Sequence, residues 1–145
     1  MIAGSADRDV TEVMELLPPL RRVLRLRVPQ GYGPSDLSPA QLQLLVELAS
    51  SGSQPMSELA ARLGVSFSTT TELVGKLVRG GKVTRTKSER DRRQTLVQVT
   101  PEADALAAAV TEDRRTRVKR ALESLSETER AAAIPVLRQL QQALG

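Results

Sequence analysis

Residues 56–81 read MSELAARLGVSFSTTTELVGKLVRGG, and this stretch decides the fold of the chain. It consists of two short segments whose apolar residues recur with helical spacing. Gly64 is the expected left-handed residue that ends the first helix, and Val65 follows it into the core. Ser66 is the expected N-cap of the second helix, over residues 67–79. Two helices joined by a three-residue turn that contains glycine form a helix-turn-helix.

Two β-like runs follow this motif directly and predict a hairpin. The runs are residues 82–86 and 94–100, and the second alternates apolar and polar side chains with a period of two. The polar segment KSERDRR, at residues 87–93, lies between them and is the expected tip. We interpret this hairpin, which comes straight after the second helix of the motif, as a wing.

The residues before the motif predict two helices and a loop. An apolar stripe with helical spacing over residues 7–28 predicts a first helix, which Pro18 and Pro19 either kink or divide into two short helices. Residues 29–36, PQGYGPSD, predict a loop, and Ser38 is the expected N-cap of the second helix. The predicted buried face of this helix consists of Leu42, Leu45, Val46 and Ala49.

Helix start signals mark the remaining helices. Ser57 is the expected N-cap of the helix that precedes the glycine turn. Thr100, followed by a proline and acidic residues, predicts the start of a fifth helix. Ser126 and Glu129 form a capping box that opens the last helix, in which Pro135 predicts a kink.

These elements predict a mainly α-helical chain with a small β-hairpin wing. We expect an N-terminal dimerisation helix and loop at residues 1–36, a winged helix-turn-helix domain at residues 37–100, and C-terminal dimerisation helices at residues 101–145. The terminal helices have apolar stripes but no sheet to cover, and each side chain left in water forgoes about 1.5–3 kcal/mol of burial. A homodimer with two-fold symmetry buries them. The alternative is that they fold back on their own domain.

The composition of the 145-residue chain excludes several kinds of function. The chain contains no cysteine and no histidine, which removes thiolate zinc sites and the commonest general base. We therefore expect no enzyme activity, no metal and no cofactor. Phe67 and Tyr32 are the only aromatic residues, which disfavours base stacking on an aromatic platform. No apolar run is long enough to span a membrane, so we expect a cytoplasmic protein without a membrane partner.

The positive charge is concentrated in one short segment. The formal net charge of the chain is +4. Residues 76–93 contain eight cationic and two acidic side chains, a net charge of +6, so the remainder of the chain carries −2. Such a local excess is typical of a surface that faces phosphates. A solvated basic loop is the alternative interpretation.

The second helix of the motif is the expected recognition helix, whose N-terminal outward side chains meet base edges in the major groove of DNA. Glu72 has two interpretations: it accepts a hydrogen bond from a cytosine amino group, or it pairs with Lys76 four residues later. Lys76 is expected nearer the phosphates. The candidate major-groove residues are Ser66, Phe67, Ser68, Thr69, Thr71, Glu72 and Lys76.

The tip of the wing carries arginines that are expected to enter a narrow minor groove, because its negative potential attracts guanidinium groups. Asp91 is unsuited to contact with DNA, and we expect it to pair with one of these arginines and so fix the tip. The candidate wing residues are Lys87, Arg90, Asp91, Arg92 and Arg93.

Four segments of the chain resemble the MarR family of winged-helix transcriptional regulators. They are LSPAQLQLLVELA at residues 37–49, the stretch quoted above at residues 56–81, DRRQTLVQVT at residues 91–100 and SETERAAAIPVLRQL at residues 126–140. The third segment fits the family's wing signature, in which Asp-x-Arg is followed by five residues and Leu-Thr, with Val99 in place of the leucine. Glu72 and Lys82 depart from the pattern, since members often have a basic residue at the first position and an apolar one at the second.

The resemblance implies how such a chain works. Arg93 would be the minor-groove arginine and Asp91 the acid that orients it, while Ser68, Thr69 and Thr71 would contact the major groove. Members usually repress by occupying a promoter. Many release DNA when a small molecule, often phenolic or carboxylated, binds between the dimerisation and DNA-binding parts.

We therefore expect a homodimeric repressor that binds a pseudo-palindromic double-stranded DNA operator and is released by a small-molecule effector. Arg21, Arg22 and Arg25 of the first helix are candidate contacts for an effector carboxylate; solvated side chains or inter-subunit salt bridges are the alternative. The alternative function is a winged-helix scaffold that binds protein instead of DNA. An arginine-rich wing is poorly suited to that function.

Overall fold

A computed structural model of the chain describes residues 2–32 and 35–145. These residues form six α-helices and a three-stranded antiparallel sheet, which confirms the predicted winged helix-turn-helix fold. The chain divides into two compact units, Met1–Arg114 and Arg115–Gly145. The helices are α1 (Ile2–Leu24), α2 (Pro39–Ser51), α3 (Met56–Leu63), α4 (Phe67–Arg79), α5 (Pro101–Glu123) and α6 (Glu127–Leu144), and the strands are β1 (Gln54–Pro55), β2 (Val83–Lys87) and β3 (Thr95–Val99).

The first helix is longer at its start, and shorter at its end, than the apolar stripe predicts. It begins at Ile2 and ends at Leu24, and Pro18 and Pro19 both lie inside it, so the interpretation as two short helices is wrong. Each proline removes one backbone donor, and the 23-residue helix continues through both of them. Of the loop predicted to follow, Gly33 and Pro34 lie outside the described residues.

The core of the first unit surrounds α2, which contacts α3, α4 and β3. Because α2 packs on more than one side, its buried surface is wider than the single stripe that the sequence predicted. Leu44 and Leu48 are fully buried although they were not predicted, whereas Val46 and Ala49 are only partly buried. The core residues from these elements are Leu42, Leu44, Leu45, Leu48, Met56, Leu59, Val74, Leu77, Val83 and Val97.

Side-chain caps fix four of the helix starts, and one of them is the cap of α4 by Ser66. At the start of α2 the Ser38 hydroxyl accepts from the Gln41 backbone N–H, and the Ser38 backbone N–H donates to Gln41 Oε1. Ser126 caps α6 in the predicted capping box. The Thr100 hydroxyl oxygen accepts a hydrogen bond of 3.3 Å from the backbone N–H of Ala103 in the first turn of α5. Each bond satisfies a donor that the helix itself leaves unpaired.

The expected Ser57 cap is wrong, because α3 begins at Met56, two residues before the start that a cap at Ser57 implies. The residue before it, Pro55, belongs to β1 and makes no side-chain cap bond. β1 pairs with β3 in antiparallel register, with Gln54 opposite Val97, and so makes β3 the central strand. A strand of two residues that contains proline has no pattern by which the sequence could predict it.

Gln54 has a buried amide group that lacks hydrogen-bond partners. It is 3% exposed, and neither its Nε2 nor its Oε1 has a hydrogen-bond partner among the described residues. A buried polar group without a partner costs about 1–3 kcal/mol. We therefore expect Gln54→Met, which keeps the length of the side chain, to raise the free energy of unfolding by about 1 kcal/mol or more in urea denaturation.

Gln98→Met is the matched control, since Gln98 is exposed on β3. It should change the free energy of unfolding by no more than about 0.5 kcal/mol. A loss of stability in Gln54→Met would contradict the prediction and would mean that the amide is hydrogen-bonded in solution.

Candidate nucleic-acid interface

The turn before α4 sets the direction of the recognition helix. Gly64 has φ 66° and ψ 29°, the left-handed conformation predicted for it. Val65 is not buried as expected: it is 39% exposed, and its backbone N–H donates to the Ala60 carbonyl at 3.3 Å. Ser66 then caps α4, and the buried Thr70 hydroxyl donates to the Ser66 carbonyl at 3.0 Å. Backbone contacts thus fix the turn, and Thr70 ties the start of the helix to it.

The candidate major-groove side chains share one property, which is that all of them are exposed to solvent. Phe67, the first residue of α4, is 58% exposed. The inward side of the helix is formed by Thr70, Val74 and Leu77, which are buried. The exposed set is Ser66, Phe67, Ser68, Thr69, Thr71, Glu72 and Lys76.

Several polar groups of this surface are already bonded to one another. The Ser66 hydroxyl donates to Thr69 Oγ1 at 2.8 Å and accepts from the Thr69 backbone N–H at 3.0 Å. The Thr71 hydroxyl donates to the Phe67 carbonyl at 2.9 Å. Lys76 Nζ lies 3.4 Å from Glu72 Oε1, so the second of the two interpretations of Glu72 describes the free chain.

The wing is a hairpin in which β2 and β3 pair from Val83 opposite Val99 to Lys87 opposite Thr95. The bounds of the strands differ from the predicted ones by one residue, and Lys87 is the last residue of β2. The tip presents three exposed arginines, and none of them forms an ion pair with a described residue. These are Arg90, Arg92 and Arg93.

Asp91 fixes the tip through the backbone. Its Oδ1 accepts a hydrogen bond of 3.0 Å from the backbone N–H of Arg93, and its own carbonyl accepts one of 2.9 Å from Gln94. Its backbone N–H donates to the hydroxyl of Ser88, a buried residue, at 3.3 Å. The expected ion pair with an arginine is not formed in the described part of the chain. A carboxylate that caps a turn bonds the nearest N–H, and the long guanidinium side chains stay in water.

Lys82 joins the recognition helix to the wing and to α5. Its backbone N–H donates to the Leu77 carbonyl at 2.9 Å, and its carbonyl accepts from the Thr100 N–H at 3.0 Å. Its Nζ lies 2.9 Å from Glu102 Oε1, and this hydrogen bond together with the lysine charge lowers the pKa of Glu102. Val83 beside it is buried. Lys82 stands where an apolar residue is usual in the family pattern, but the backbone that leads into β2 is formed normally.

Two arginines that the sequence did not single out converge between α4 and β2. A Cβ atom on Gly75 would lie 3.5 Å from Arg79 Nη1 and 3.9 Å from Arg85 Nη2. Both guanidinium groups thus cover the helix backbone where it has no side chain, and neither forms an ion pair with a described residue. The sequence could have indicated the position of Arg79, because Gly75 lies four residues before it on the same face of α4. The approach of Arg85 depends on the tertiary structure.

One cavity of about 640 Å³ brings the three candidate effector residues together. Arg21, Arg22 and Arg25 line it with Arg114 of α5, and α2 contributes to the opposite wall. No acidic side chain among the described residues forms an ion pair with Arg21, Arg22 or Arg114. Its volume is in the usual range for small-molecule sites, roughly 300–1,000 Å³. Its lining residues are Pro18, Arg21, Arg22, Arg25, Leu26, Pro39, Gln43 and Arg114.

Two features are absent from residues 2–32 and 35–145, a cluster of metal-binding side chains and a membrane-spanning helix. No group of three or more acidic side chains there is placed to hold a metal ion. No helix in the same ranges has both the length and the apolar character needed to cross a bilayer.

Comparison with known proteins identifies the family. A sequence model of the MarR family matches residues 37–95, which extend from before α2 to the first residue of β3. A Bacillus subtilis protein named as an uncharacterized HTH-type transcriptional regulator, YfiV, is 37% identical over 109 residues, covering 75% of this chain and 68% of that protein. The chain belongs to the MarR family.

Two further relatives extend the likeness of this MarR chain over nearly its whole length. The transcriptional repressor MdtR of Bacillus subtilis is 29% identical over 139 residues, which are 96% of this chain and 90% of that protein. The solved structure of a MarR family protein from Bacillus stearothermophilus matches with a TM-score of 0.77 at 27% identity, over 95% of this chain and 96% of that one. The likeness therefore includes the terminal helices as well as the helix-turn-helix.

The hydrogen bond from Arg93 to Asp91 gives a test of how this carboxylate acts. Asp91→Asn keeps an acceptor oxygen, whereas Asp91→Ala removes it. With about 1 kcal/mol for the bond, we expect the Arg93 backbone amide to exchange its hydrogen roughly fivefold faster in Asp91→Ala and little faster in Asp91→Asn. Amide exchange by NMR measures this. Equal acceleration in both variants would show instead that the negative charge fixes the tip.

Proposed function

We propose that the chain is a sequence-specific regulator of transcription that binds double-stranded DNA and represses by occupying its operator. One observation carries this proposal. An exposed recognition helix and a hairpin with arginines at its tip lie next to each other, and the hydrogen bonds of Lys82 connect them. YfiV and MdtR are named as transcriptional regulators, which supports the same function. A regulator of this kind acts in the cytoplasm, where bacterial DNA lies.

The recognition helix and the wing contact different grooves of the DNA. The N-terminal outward residues of α4 meet base edges in the major groove, with Ser66 and Lys76 at the margins of that surface. Arg90, Arg92 and Arg93 enter the adjacent minor groove, and Asp91 positions them. Lys87 and the pair Arg79 and Arg85 neutralise phosphates of the strand between the two grooves, since all three cations are exposed.

The terminal helices make the chain a homodimer. Large apolar side chains of α1 and α6 are between 42% and 85% exposed, which is unfavourable in a lone chain. A second copy related by two-fold symmetry buries them and presents two recognition helices to a pseudo-palindromic operator. The residues concerned are Val10, Val13, Met14, Leu16, Leu17, Leu20 and Leu24 of α1, and Ile134, Val136, Leu137, Leu140 and Leu144 of α6.

A small anionic effector binds in the cavity that Arg21, Arg22, Arg25 and Arg114 line. Three of these arginines come from the segment at the end of α1 and the fourth from α5, so the effector contacts elements that continue into the dimerisation helices. Guanidinium groups bind carboxylates in bidentate geometry. The concentration of four of them around one cavity supports an effector with a carboxylate over the alternative of solvated side chains.

The function is tested on a duplex selected from a random pool by binding to the chain. We expect two chains per duplex and a binding constant whose logarithm falls linearly with the logarithm of the salt concentration. Arg93→Ala should weaken binding of the selected sequence by about 1–3 kcal/mol. Arg85→Ala should lower the salt slope on any sequence by about 0.9 for each bound chain, or about 1.8 for two chains on one duplex. Fluorescence anisotropy at several salt concentrations measures both effects.

Lys119→Ala is the control, because it removes one positive charge from α5 outside the proposed footprint. It should change neither the affinity nor the slope. Absence of any retained duplex at low salt would overturn the proposal in favour of a protein-binding scaffold. A monomer in sedimentation equilibrium at micromolar concentration would overturn the dimer.

The effector site is tested by releasing that duplex with aromatic carboxylates, benzoate among them, and with benzamide as the uncharged control. We expect release by a carboxylate but not by benzamide, and a loss of sensitivity of about tenfold in Arg22→Gln, since one charged hydrogen bond contributes about 1.5–3 kcal/mol. Titration calorimetry with the same ligands measures binding directly. Equal sensitivity of wild type and Arg22→Gln would exclude this cavity as the site.

A further inference from the structure

The base-facing surface of α4 lacks the side chains that read guanine. Residues 66–75 contain no arginine, lysine, asparagine or glutamine. Guanine presents only acceptors in the major groove and is read mainly by arginine or lysine, and adenine is read by asparagine or glutamine. The first cation of the helix is Lys76, whose ammonium group is paired with Glu72. Recognition by this helix must therefore use other groups.

The hydroxyl groups of the surface offer few hydrogens to a base. Ser66 and Thr71 each spend their single hydroxyl hydrogen inside the chain, on Thr69 Oγ1 and on the Phe67 carbonyl. On the DNA side these two hydroxyls can only accept, and the Glu72 carboxylate can only accept as well. Their natural partners are exocyclic amino groups, which are N6 of adenine and N4 of cytosine.

Ser68 and Thr69 keep hydroxyl hydrogens that can be donated to a base, and the other groups of this surface are apolar. Phe67, the only phenylalanine of the chain, is 58% exposed. Thr71 lies one helical turn further on and its hydroxyl donates to the Phe67 carbonyl, so the two residues lie on the same exposed face of α4. The only apolar group that a base presents in the major groove of unmodified DNA is the C5 methyl group of thymine.

We infer that Phe67 and Thr71 determine specificity by contact with thymine methyl groups, so that each half-site has A·T pairs at the positions that face these two residues. The methyl groups lie against the Phe67 ring and the Thr71 methyl group. The adenines of the same pairs donate to the oxygens of Thr71 and Glu72. This inference rests on the proposed function and adds the class of base that the helix selects.

The experiment replaces single thymines of the selected duplex by deoxyuridine, which removes the methyl group and leaves the pairing and the hydrogen-bond pattern unchanged. We expect about a fourfold rise in Kd for each contacted thymine, the value of one buried methyl group. The sensitive thymines should lie in the major groove of each half-site. At the thymine that faces Phe67, replacement by deoxyuridine should no longer change the Kd of the Phe67→Ala variant.

Two variants of Thr71 separate its methyl group from its hydroxyl group. Thr71→Ser keeps the hydroxyl that donates to the Phe67 carbonyl and removes the methyl group. This variant should no longer distinguish thymine from deoxyuridine at the position that faces residue 71. Thr71→Val keeps a methyl group and removes the hydroxyl, so it should retain discrimination. Circular dichroism and sedimentation of each variant verify that the fold and the dimer are intact.

The outcomes distinguish this inference from the proposed function. Selected duplexes that bind with a steep salt dependence, but are insensitive to deoxyuridine at every position, would overturn the inference and leave DNA binding established. Discrimination that persists in both Phe67→Ala and Thr71→Ser would also overturn it, because other residues would then hold the methyl groups. Failure to select any duplex would overturn the proposed function itself.

Discussion

The position of the wing relative to the recognition helix depends on the backbone of Lys82. Its N–H is bonded to Leu77 in α4 and its carbonyl to Thr100 at the start of α5, so one residue holds three elements together. Gly81 before it has φ 70°, a conformation that other residues rarely adopt. The ion pair of Lys82 with Glu102 adds a side-chain link at the same place. Two DNA-reading elements can act in adjacent grooves only when their spacing is fixed in this way.

The charged groups of the interface fall into two classes with different physical roles. The wing arginines, with Arg79 and Arg85, have no ion-pair partner among the described residues, so they are available to phosphates and to the minor groove. On α4, by contrast, Glu72 neutralises Lys76. The outward surface of α4 is therefore nearly neutral and partly apolar, while its surroundings are basic. In the proposed mode of binding, affinity and specificity come from different side chains.

Signals confined to a few neighbouring residues predicted the helix-turn-helix well. Gly64, Ser66 and the capping box at Ser126 have the predicted conformations, because a cap or a left-handed turn is fixed by atoms within four residues. Ser57 was wrong as a cap because a distant strand pairs with Pro55 and moves the helix start. Asp91 was correctly expected to fix the wing tip, but by a backbone hydrogen bond in place of an ion pair.

The sequence by itself determined the order of the elements, the location of the basic segment and the residues exposed at the start of α4, since periodicity, turn residues and charge can be read along the chain. Only the tertiary structure decided the wider buried surface of α2, the meeting of Arg79 with Arg85 over Gly75, and the cavity that joins Arg22 to Arg114. These features bring together residues far apart in the chain. Their positions are set by how whole elements pack, which no local pattern specifies.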